Sequence, residues 1–310
     1  MSAPAVSATL FLLAALGYVI ARRAPNWRRN LRFARAFRAG REFYASYAHV
    51  AKDVAYGDLP RQNLDVYWPP TGDRLPVLLF AYGGSWSWGE KSLYPLVGAR
   101  FTAQGCVVVV INYRLYPRVT FPAFVEDAAA AIAWTARHIA DYRGDPGRLF
   151  VAGHSAGGHI LSLIALDDRY LAVHGLRRDV LRGVVVVNAP IDLETELAHL
   201  EAHPSISSAD GLRAIMGGSA TLPAADPIRR VRADAPPMLL LYGQKDTLVP
   251  LEVARRFASA LRSAGAPVEL REYPDADHYS LLLEGVRVDP RRPMRLVSDA
   301  LAFIRRIDSS

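Results

Sequence analysis

Residues 148–158 read Arg-Leu-Phe-Val-Ala-Gly-His-Ser-Ala-Gly-Gly. A short run of large apolar side chains, Leu149 to Val151, drops straight into Gly153-His154-Ser155-Ala156-Gly157. Ile160, Leu161, Leu163, Ile164 and Leu166 follow at helical spacing. This is G-x-S-x-G between a strand and a helix, the setting of a nucleophile elbow. So tight a turn strains the serine backbone, and side chains two residues to either side would collide with it. Gly153 and Gly157 remove those side chains. The Ser155 hydroxyl is then expected at the carboxyl edge of a sheet, above a helix N-terminus that favours developing negative charge. By itself the pentapeptide arises by chance in roughly one chain in ten of this length. The rest of the chain has to decide between a catalytic elbow and a Gly-rich loop before a helix.

A neutral serine hydroxyl is a poor nucleophile. It needs a base within hydrogen-bond reach, and the base needs an acid that fixes its tautomer and stabilises its charged form. After an elbow of this kind the acid comes next in the chain and the His last. Met238 to Tyr242 reads as a buried strand and ends in Gly243-Gln-Lys-Asp246, so Asp246 falls in the loop at the elbow's edge of the sheet. A helix over 251–264 follows, closed by Gly265. A strand from Val268 to Tyr273 then runs into Pro274-Asp-Ala-Asp-His278. Of the other seven histidines, His154 adjoins Ser155 and should point away, and His159 is one helical turn on and at most lines the site. His49, His138, His174, His199 and His203 follow no expected strand closely. Asp275 and Asp277 are too local to His278 to reach its far nitrogen.

Acyl transfer also needs N–H donors aimed at the developing oxyanion. One should be the backbone N–H of Ala156. The others should come from the loop after the third strand. Val77 to Ala81 runs into Tyr82-Gly83-Gly84-Ser85-Trp86-Ser87-Trp88-Gly89, where two adjacent glycines let the backbone approach a substrate oxygen. Gly83 and Gly84 are therefore the candidate donors. Trp86 and Trp88 either line an apolar pocket beside them or pack under a cap.

At these residues the chain resembles the α/β-hydrolase esterases of the hormone-sensitive-lipase and carboxylesterase-like group. Asn112-Tyr-Arg-Leu-Tyr-Pro117, Phe121-Pro122 through Asp127, and Gly144-Asp-Pro146 leading to Arg148 add to the likeness, which covers about residues 60–307. The resemblance implies Ser155 as nucleophile, Asp246 as acid, His278 as base and Gly83, Gly84 and Ala156 as oxyanion donors. It also implies structural roles for Arg114 and Asp127. Tyr82 departs from the group, where most members have His; that position orders the loop and is not part of the triad. The Gly-Gly-x-Trp and Gly-His-Ser-Ala-Gly-Gly-His stretches are also similar to the arylformamidase and prenylcysteine-methylesterase branches.

The 310 residues, 51% hydrophobic, suffice for one large α/β domain. Strand runs at 64–68, 77–82, 107–112, 149–153, 183–188, 238–242 and 268–273 alternate with helical segments at 92–103, 122–141, 157–173, 251–264 and 293–307. That pattern predicts a mostly parallel central sheet with helices on both faces, the α/β-hydrolase fold, over 51–310. Residues 192–232 lack a strand pattern and form either a small cap over the site or a long connection. Cys106 is the only cysteine, which excludes an intramolecular disulfide and a Cys-based metal cluster. No phosphate, dinucleotide or calcium motif occurs, so no cofactor and no metal are expected.

Charge is placed unevenly. Residues 1–50 hold eight arginines and one acid, and the other 260 residues carry 29 charges of each sign. The net +7 therefore belongs to the amino-terminal arm, and nothing in the body supports nucleic-acid binding. Residues 3–20 carry no charge and would span about 27 Å as a helix, against roughly 30 Å of hydrocarbon. The arginines follow at once, within 22–50. This predicts a membrane anchor over 1–21 that keeps the enzyme on the cytoplasmic side and meets anionic lipid. A cleaved export signal and a helix that does not span are the competing readings. The expected function is hydrolysis of a fairly apolar carboxylic ester at the membrane through an acyl-enzyme. Amide or formamide cleavage by the same triad is the first alternative, and a non-catalytic binding module of this fold the second.

Overall fold

A computed structural model describes residues 49–204, 208–283 and 295–309. The anchor expected over 1–21, and all of the arginine-rich segment except its last two residues, lie outside the described residues. The strands are β1 (Val50–Ala55), β2 (Asn63–Tyr67), β3 (Leu75–Ala81), β4 (Val107–Ile111), β5 (Gly144–His154), β6 (Leu181–Val187), β7 (Met238–Gly243) and β8 (Val268–Tyr273). They form one sheet in the order β1-β2-β4-β3-β5-β6-β7-β8. The β1–β2 and β2–β4 pairs are antiparallel and the others parallel.

The helices are α1 (Pro95–Thr102), α2 (Ala123–His138), α3 (Ala156–Leu166), α4 (Arg169–Ala172), α5 (Leu193–Ala202), α6 (Ala209–Ile215), α7 (Leu222–Ala225), α8 (Leu251–Ser263), α9 (Ser280–Leu283) and α10 (Arg295–Asp308). Every residue of β4 and β7 is buried. Successive strand residues point to opposite faces, so burial of the whole run means that both faces are covered. Valine and leucine fill these strands without a polar alternation, which is why they were legible as parallel core strands. Asp127, fully buried on α2, accepts hydrogen bonds from the Arg114 backbone N–H at 2.8 Å and from Gln62 at 2.8 Å. Together with the Arg114 guanidinium it fastens the turn after β4 to the helix that follows.

Two elements depart from expectation. β1 lacks a period-2 pattern because its pairing slips between Ala51 and Val54, where Asp53 takes a φ of 53° and donates its N–H to Asp65 Oδ1 at 2.9 Å. The helix expected over 157–173 stops at Leu166. Asp167 turns extended (φ −122°, ψ 106°), and its carboxylate accepts the Arg169 N–H at 3.2 Å and the Arg169 Nε–H at 2.9 Å. A short acidic side chain bonding to the backbone just ahead competes with helical continuation, so α4 starts afresh.

The parallel pair β3–β5 carries the tightest packing. A Cβ on Gly157 would lie 2.1 Å from the Ala81 carbonyl oxygen and 2.6 Å from that of Tyr82, both backbone atoms. Gly157→Ala is therefore expected to lower stability by about 2–3 kcal/mol, read as a fall in the thermal midpoint. Gly211→Ala, on α6 with its nearest neighbour a side chain at 3.4 Å, should be neutral or slightly stabilising. Equal effects of the two substitutions would contradict the packing argument.

Candidate active site

The connection after β3 leads to β4 on one side, and the connection after β5 leads to β6 on the other. Loops that diverge from neighbouring parallel strands leave a crevice at the carboxyl ends of those strands. Ser155 follows β5 there, Gly83 and Gly84 follow β3, Asp246 follows β7 and His278 follows β8. A cleft of about 450 Å³ is lined by Gly83, Gly84, Ser155 and His278 on the sheet side. A wider depression of about 720 Å³ sits at the start of β6 and the end of α10, among paired charges such as Arg178, Asp168 and Asp234. It is remote from the elbow.

Ser155 occupies φ 52°, ψ −123°, a region that non-glycine residues rarely adopt. Its backbone is held from both directions: its N–H donates to the Val187 carbonyl at 2.9 Å, and its carbonyl accepts the His159 N–H at 3.1 Å. A Cβ on Gly153 would meet the Gly157 backbone at 2.5 Å, so both glycines of the motif serve close approach as expected. Gly83 is equally crowded, since a Cβ there would lie 2.8 Å from Ser155 Cβ. Among the described residues the backbone N–H groups of Gly83, Gly84 and Ala156 meet no intramolecular acceptor. They are donors left for a ligand.

The loop bearing Gly83 and Gly84 is braced by Tyr82. Its hydroxyl accepts from Arg61 Nη2 at 2.6 Å and lies 3.2 Å from the Gly89 carbonyl, which also accepts from Arg61 at 2.8 Å. The ring stacks on Tyr113 at 4.7 Å and on Tyr94 at 5.5 Å. Burial pushes the Tyr82 phenol up to about 12, so it remains a neutral donor. Tyr82 thus orders this loop through its hydroxyl and its stacked ring.

His278 Nδ1 lies 2.7 Å from Asp246 Oδ2, with both side chains buried. The other oxygen of Asp246 accepts the N–H groups of Leu248 at 2.8 Å and Val249 at 3.0 Å. An acceptor at Nδ1 leaves Nε2 as the basic nitrogen. Ser155 and His278 line the same cleft, and no hydrogen bond joins them in this form; such contacts tighten when substrate is bound. The flanking acids are engaged elsewhere. Asp275 pairs with Arg295 at 2.6 Å, and Asp277 Oδ1 accepts from the N–H groups of Tyr279 and Ser280.

His154 does not point out of the site. Its Nε2 lies 2.8 Å from the His278 carbonyl oxygen, so it carries the proton, and the two rings sit 4.8 Å apart. Burial, and then the neighbouring His278, hold its pKa well below the usual histidine range, so the ring stays a neutral donor. Asn188 after β6, at φ 44°, donates to the same carbonyl at 3.0 Å and accepts the Gly243 N–H at 2.9 Å. Two donors therefore fix the backbone of His278. His159 lies behind the site, fully buried, edge-on to Trp86 at 5.0 Å and 2.8 Å from the Ala225 carbonyl. Burial pushes it down to about 4. Trp86 is itself almost wholly buried while Trp88 is 51% exposed, so packing dominates for the first and the cleft mouth for the second.

The opposite wall comes from the segment 192–232. Leu200 on α5 and Leu212 and Ile215 on α6 face the cleft. Asp192 starts α5 by accepting the Thr195 N–H at 3.1 Å. That helix buries Leu193, Glu196 and Leu200 on one face. Glu196 is 6% exposed, lines the cleft, and its Oε2 has no hydrogen-bond partner among the described residues. Burial, reinforced by the charge of Asp246, pushes it up to about 8. Sequence reading passed over it, although an acid on an otherwise leucine-bearing helix stripe is a visible signal.

Comparison with known proteins places these features in context. The family model BD-FAE matches residues 64–261. Esterase LipQ of Mycobacterium tuberculosis is 36% identical over 269 residues, 83% of this chain and 63% of LipQ. A probable isoprenylcysteine alpha-carbonyl methylesterase of Arabidopsis thaliana is 30% identical over 264 residues, covering 81% of this chain and 54% of that protein. The chain thus spans less than two thirds of the length of these curated relatives. Among solved structures, Thermogutta terrifontis esterase 2 with propionate bound superposes with a TM-score of 0.68 at 26% identity, covering 84% of this chain and 95% of that one. The same esterase has been solved phosphonylated by sarin.

The buried acid has a measurable consequence. Between pH 4.5 and about 8 the unfolded chain releases the Glu196 proton while the folded chain keeps it, so this group lowers stability as pH rises through that window. Glu196→Gln should remove the penalty. Urea unfolding of both proteins should show similar stability at pH 4 and an advantage for the variant on the order of 4 kcal/mol by pH 8. A difference that does not grow with pH would contradict a buried protonated Glu196.

Proposed function

The chain belongs to the BD-FAE family, within the α/β-hydrolase, carboxylesterase-like proteins, and from that premise we propose that it is a serine carboxylic-ester hydrolase. One observation carries the reading. The buried Asp246–His278 pair opens onto the cleft that holds Ser155 at its strained turn, beside three unengaged N–H donors. His278 Nε2 takes the Ser155 proton as the oxygen attacks the ester carbonyl. Gly83, Gly84 and Ala156 stabilise the tetrahedral oxyanion. The bond to the leaving oxygen breaks, the imidazolium protonates that oxygen, and an acyl-serine remains. Water, deprotonated by the same imidazole, then releases the acid and restores Ser155.

The names of the relatives support this chemistry: LipQ is an esterase, and phosphonylation of the Thermogutta esterase by sarin suits an activated nucleophile. The segment 192–232 acts in this reading as a small cap whose leucines, together with Trp86 and Trp88, make the cleft suited to a fairly apolar ester. Residues 1–21 anchor the enzyme to the membrane facing the cytoplasm, with the arginines of 22–50 against anionic lipid. The uncharged run 3–20 followed by eight arginines supports that placement. Membrane-partitioned esters are then the natural substrates.

Hydrolysis of p-nitrophenyl esters from acetyl to dodecanoyl tests the activity. Ser155→Ala should cut turnover roughly 10⁴–10⁶-fold with the fold intact. Asp246→Asn should cost about 10⁴-fold through the wrong imidazole tautomer. Serine-independent turnover would refute the nucleophile, and turnover of formamides but not esters would move the reading to amide chemistry. Deletion of residues 1–45 should release the protein from membranes and leave short-ester turnover unchanged; persistent membrane association would refute the anchor.

A further inference from the structure

Glu196 is left over by the mechanism. It is nine-tenths buried on α5, its Oε2 is unpartnered, and it opens on the same cleft as Ser155 and His278. An unpaired buried carboxyl is costly, and on a leucine-lined wall an apolar side chain would carry no such cost. Among the described residues the cations of the surrounding elements are engaged elsewhere. Arg256 of α8 pairs with Asp192 at 2.6 Å, Arg213 of α6 pairs with Asp210 at 2.9 Å and also with Glu201, and Arg229 pairs with Glu194 at 3.2 Å. The groups whose charge couples to it are Asp246 and the Tyr242 phenol, whose hydroxyl is engaged by the Ala189 backbone. His199, on the same helix, meets the Thr247 carbonyl instead. At neutral pH the carboxyl keeps its proton, and an O–H at Oε2 meets no acceptor among the described residues.

Its side of the cleft follows from the chemistry. The imidazolium must hand its proton to the leaving oxygen, so the alcohol portion of an ester lies toward His278. Glu196 is on that side: His199 on the same helix meets the Thr247 carbonyl at 3.1 Å in the loop that carries Asp246, and Glu196, Leu248, Val249 and His278 line the cleft together. We propose that Glu196 is a specificity-determining residue that donates a hydrogen bond to an oxygen acceptor on the alcohol portion of the substrate, selecting esters of ether- or hydroxyl-bearing alcohols over purely alkyl ones. The inference rests on the ester-hydrolase reading above.

Two isosteric ester pairs test it in the full-length enzyme: 2-methoxyethyl against butyl pentanoate for the alcohol side, and p-nitrophenyl 3-methoxypropanoate against pentanoate for the acyl side. In the wild type the ratio of kcat/KM within the alcohol pair should favour the ether about tenfold at pH 6–7, the worth of one hydrogen bond. The ratio should fall toward unity as pH rises through about 8, where the donor ionises. Because His278 serves both members of a pair, its own titration cancels in the ratio. Glu196→Gln, which keeps a donor that does not titrate, should hold the preference across the range. Glu196→Met should lose it at every pH. The acyl pair should show no such change. A wild-type alcohol ratio near unity at pH 6–7, or a preference that survives in Glu196→Met, overturns the proposal, and so does a pH-dependent preference confined to the acyl pair. The wild-type ratio alone decides the matter if a variant fails to fold. Absence of turnover on all four esters would sink the ester-hydrolase reading itself and this inference with it.

Discussion

The meeting of β3 with the turn at Ser155 is the constraint on which the site depends. Ala81 pairs with Gly153 across the two strands, and the Gly157 Cα then passes so close to the carbonyls of Ala81 and Tyr82 that no side chain fits. That contact forces three things together. The serine backbone is held at positive φ, α3 begins with a free N–H at Ala156, and the loop after β3 is drawn against the nucleophile. Strain at one residue persists because its neighbours over-determine it. Here the hydrogen bonds from Ser155 to Val187 and from His159 to Ser155 do so from β6 and from α3.

Around that fixed point the remaining groups are carried on loops, and loops need restraint if they are to act at sub-ångström tolerance. Each is tied by buried polar contacts rather than by its own sequence. Arg61 and Tyr82 hold the far end of the glycine loop at Gly89, and Gly84 closes it by accepting the N–H groups of Ser87 and Trp88. His154 and Asn188 converge on one carbonyl, that of His278, from two different strands. His278 is thereby positioned through its backbone while Asp246 holds its ring. In the proposed mechanism the histidine next to Ser155 thus does structural work for the histidine that serves as base.

What could be read from sequence followed from patterns local to the chain. Continuous runs such as Val107–Ile111 and Met238–Gly243 announce doubly buried strands, and Asp246 and His278 stand out because each falls just past the end of an expected strand, the second of them only half-buried. Gly153 was legible because its steric reason, the backbone of Gly157 and Gly158, lies within five residues, whereas Gly157 is required by the carbonyls of Ala81 and Tyr82 on the neighbouring strand and its loop. The misses lie where distant parts of the chain decide the outcome. Nothing near Asn188 foretells that it spans to Gly243 and His278, and nothing near His154 foretells that its ring turns toward a loop 124 residues away. β1 exists because Asp65 and the edge of β2 receive it, not because its own pattern calls for a strand. The end of α3 at Leu166 was a local matter, Asp167 bonding ahead to Arg169, and only the apolar periodicity beyond it suggested continuation.

The distribution of donors between two carboxyl groups sets the electrostatics of the cleft. Asp246 and Glu196 share a desolvated neighbourhood in which two negative charges would oppose each other. Asp246 receives the Leu248 and Val249 N–H groups and the His278 ring, whereas among the described residues no donor reaches Glu196 Oε2. Burial and the neighbouring Asp246 together hold the proton on Glu196, the acid that opens on the cleft. In the proposed reaction Asp246 steadies the imidazolium, and Glu196 stays neutral and able to donate. An aliphatic residue at 196 would preserve the first role and abolish the second, which is why the buried acid is better understood through what enters the cleft than through what holds α5 in place.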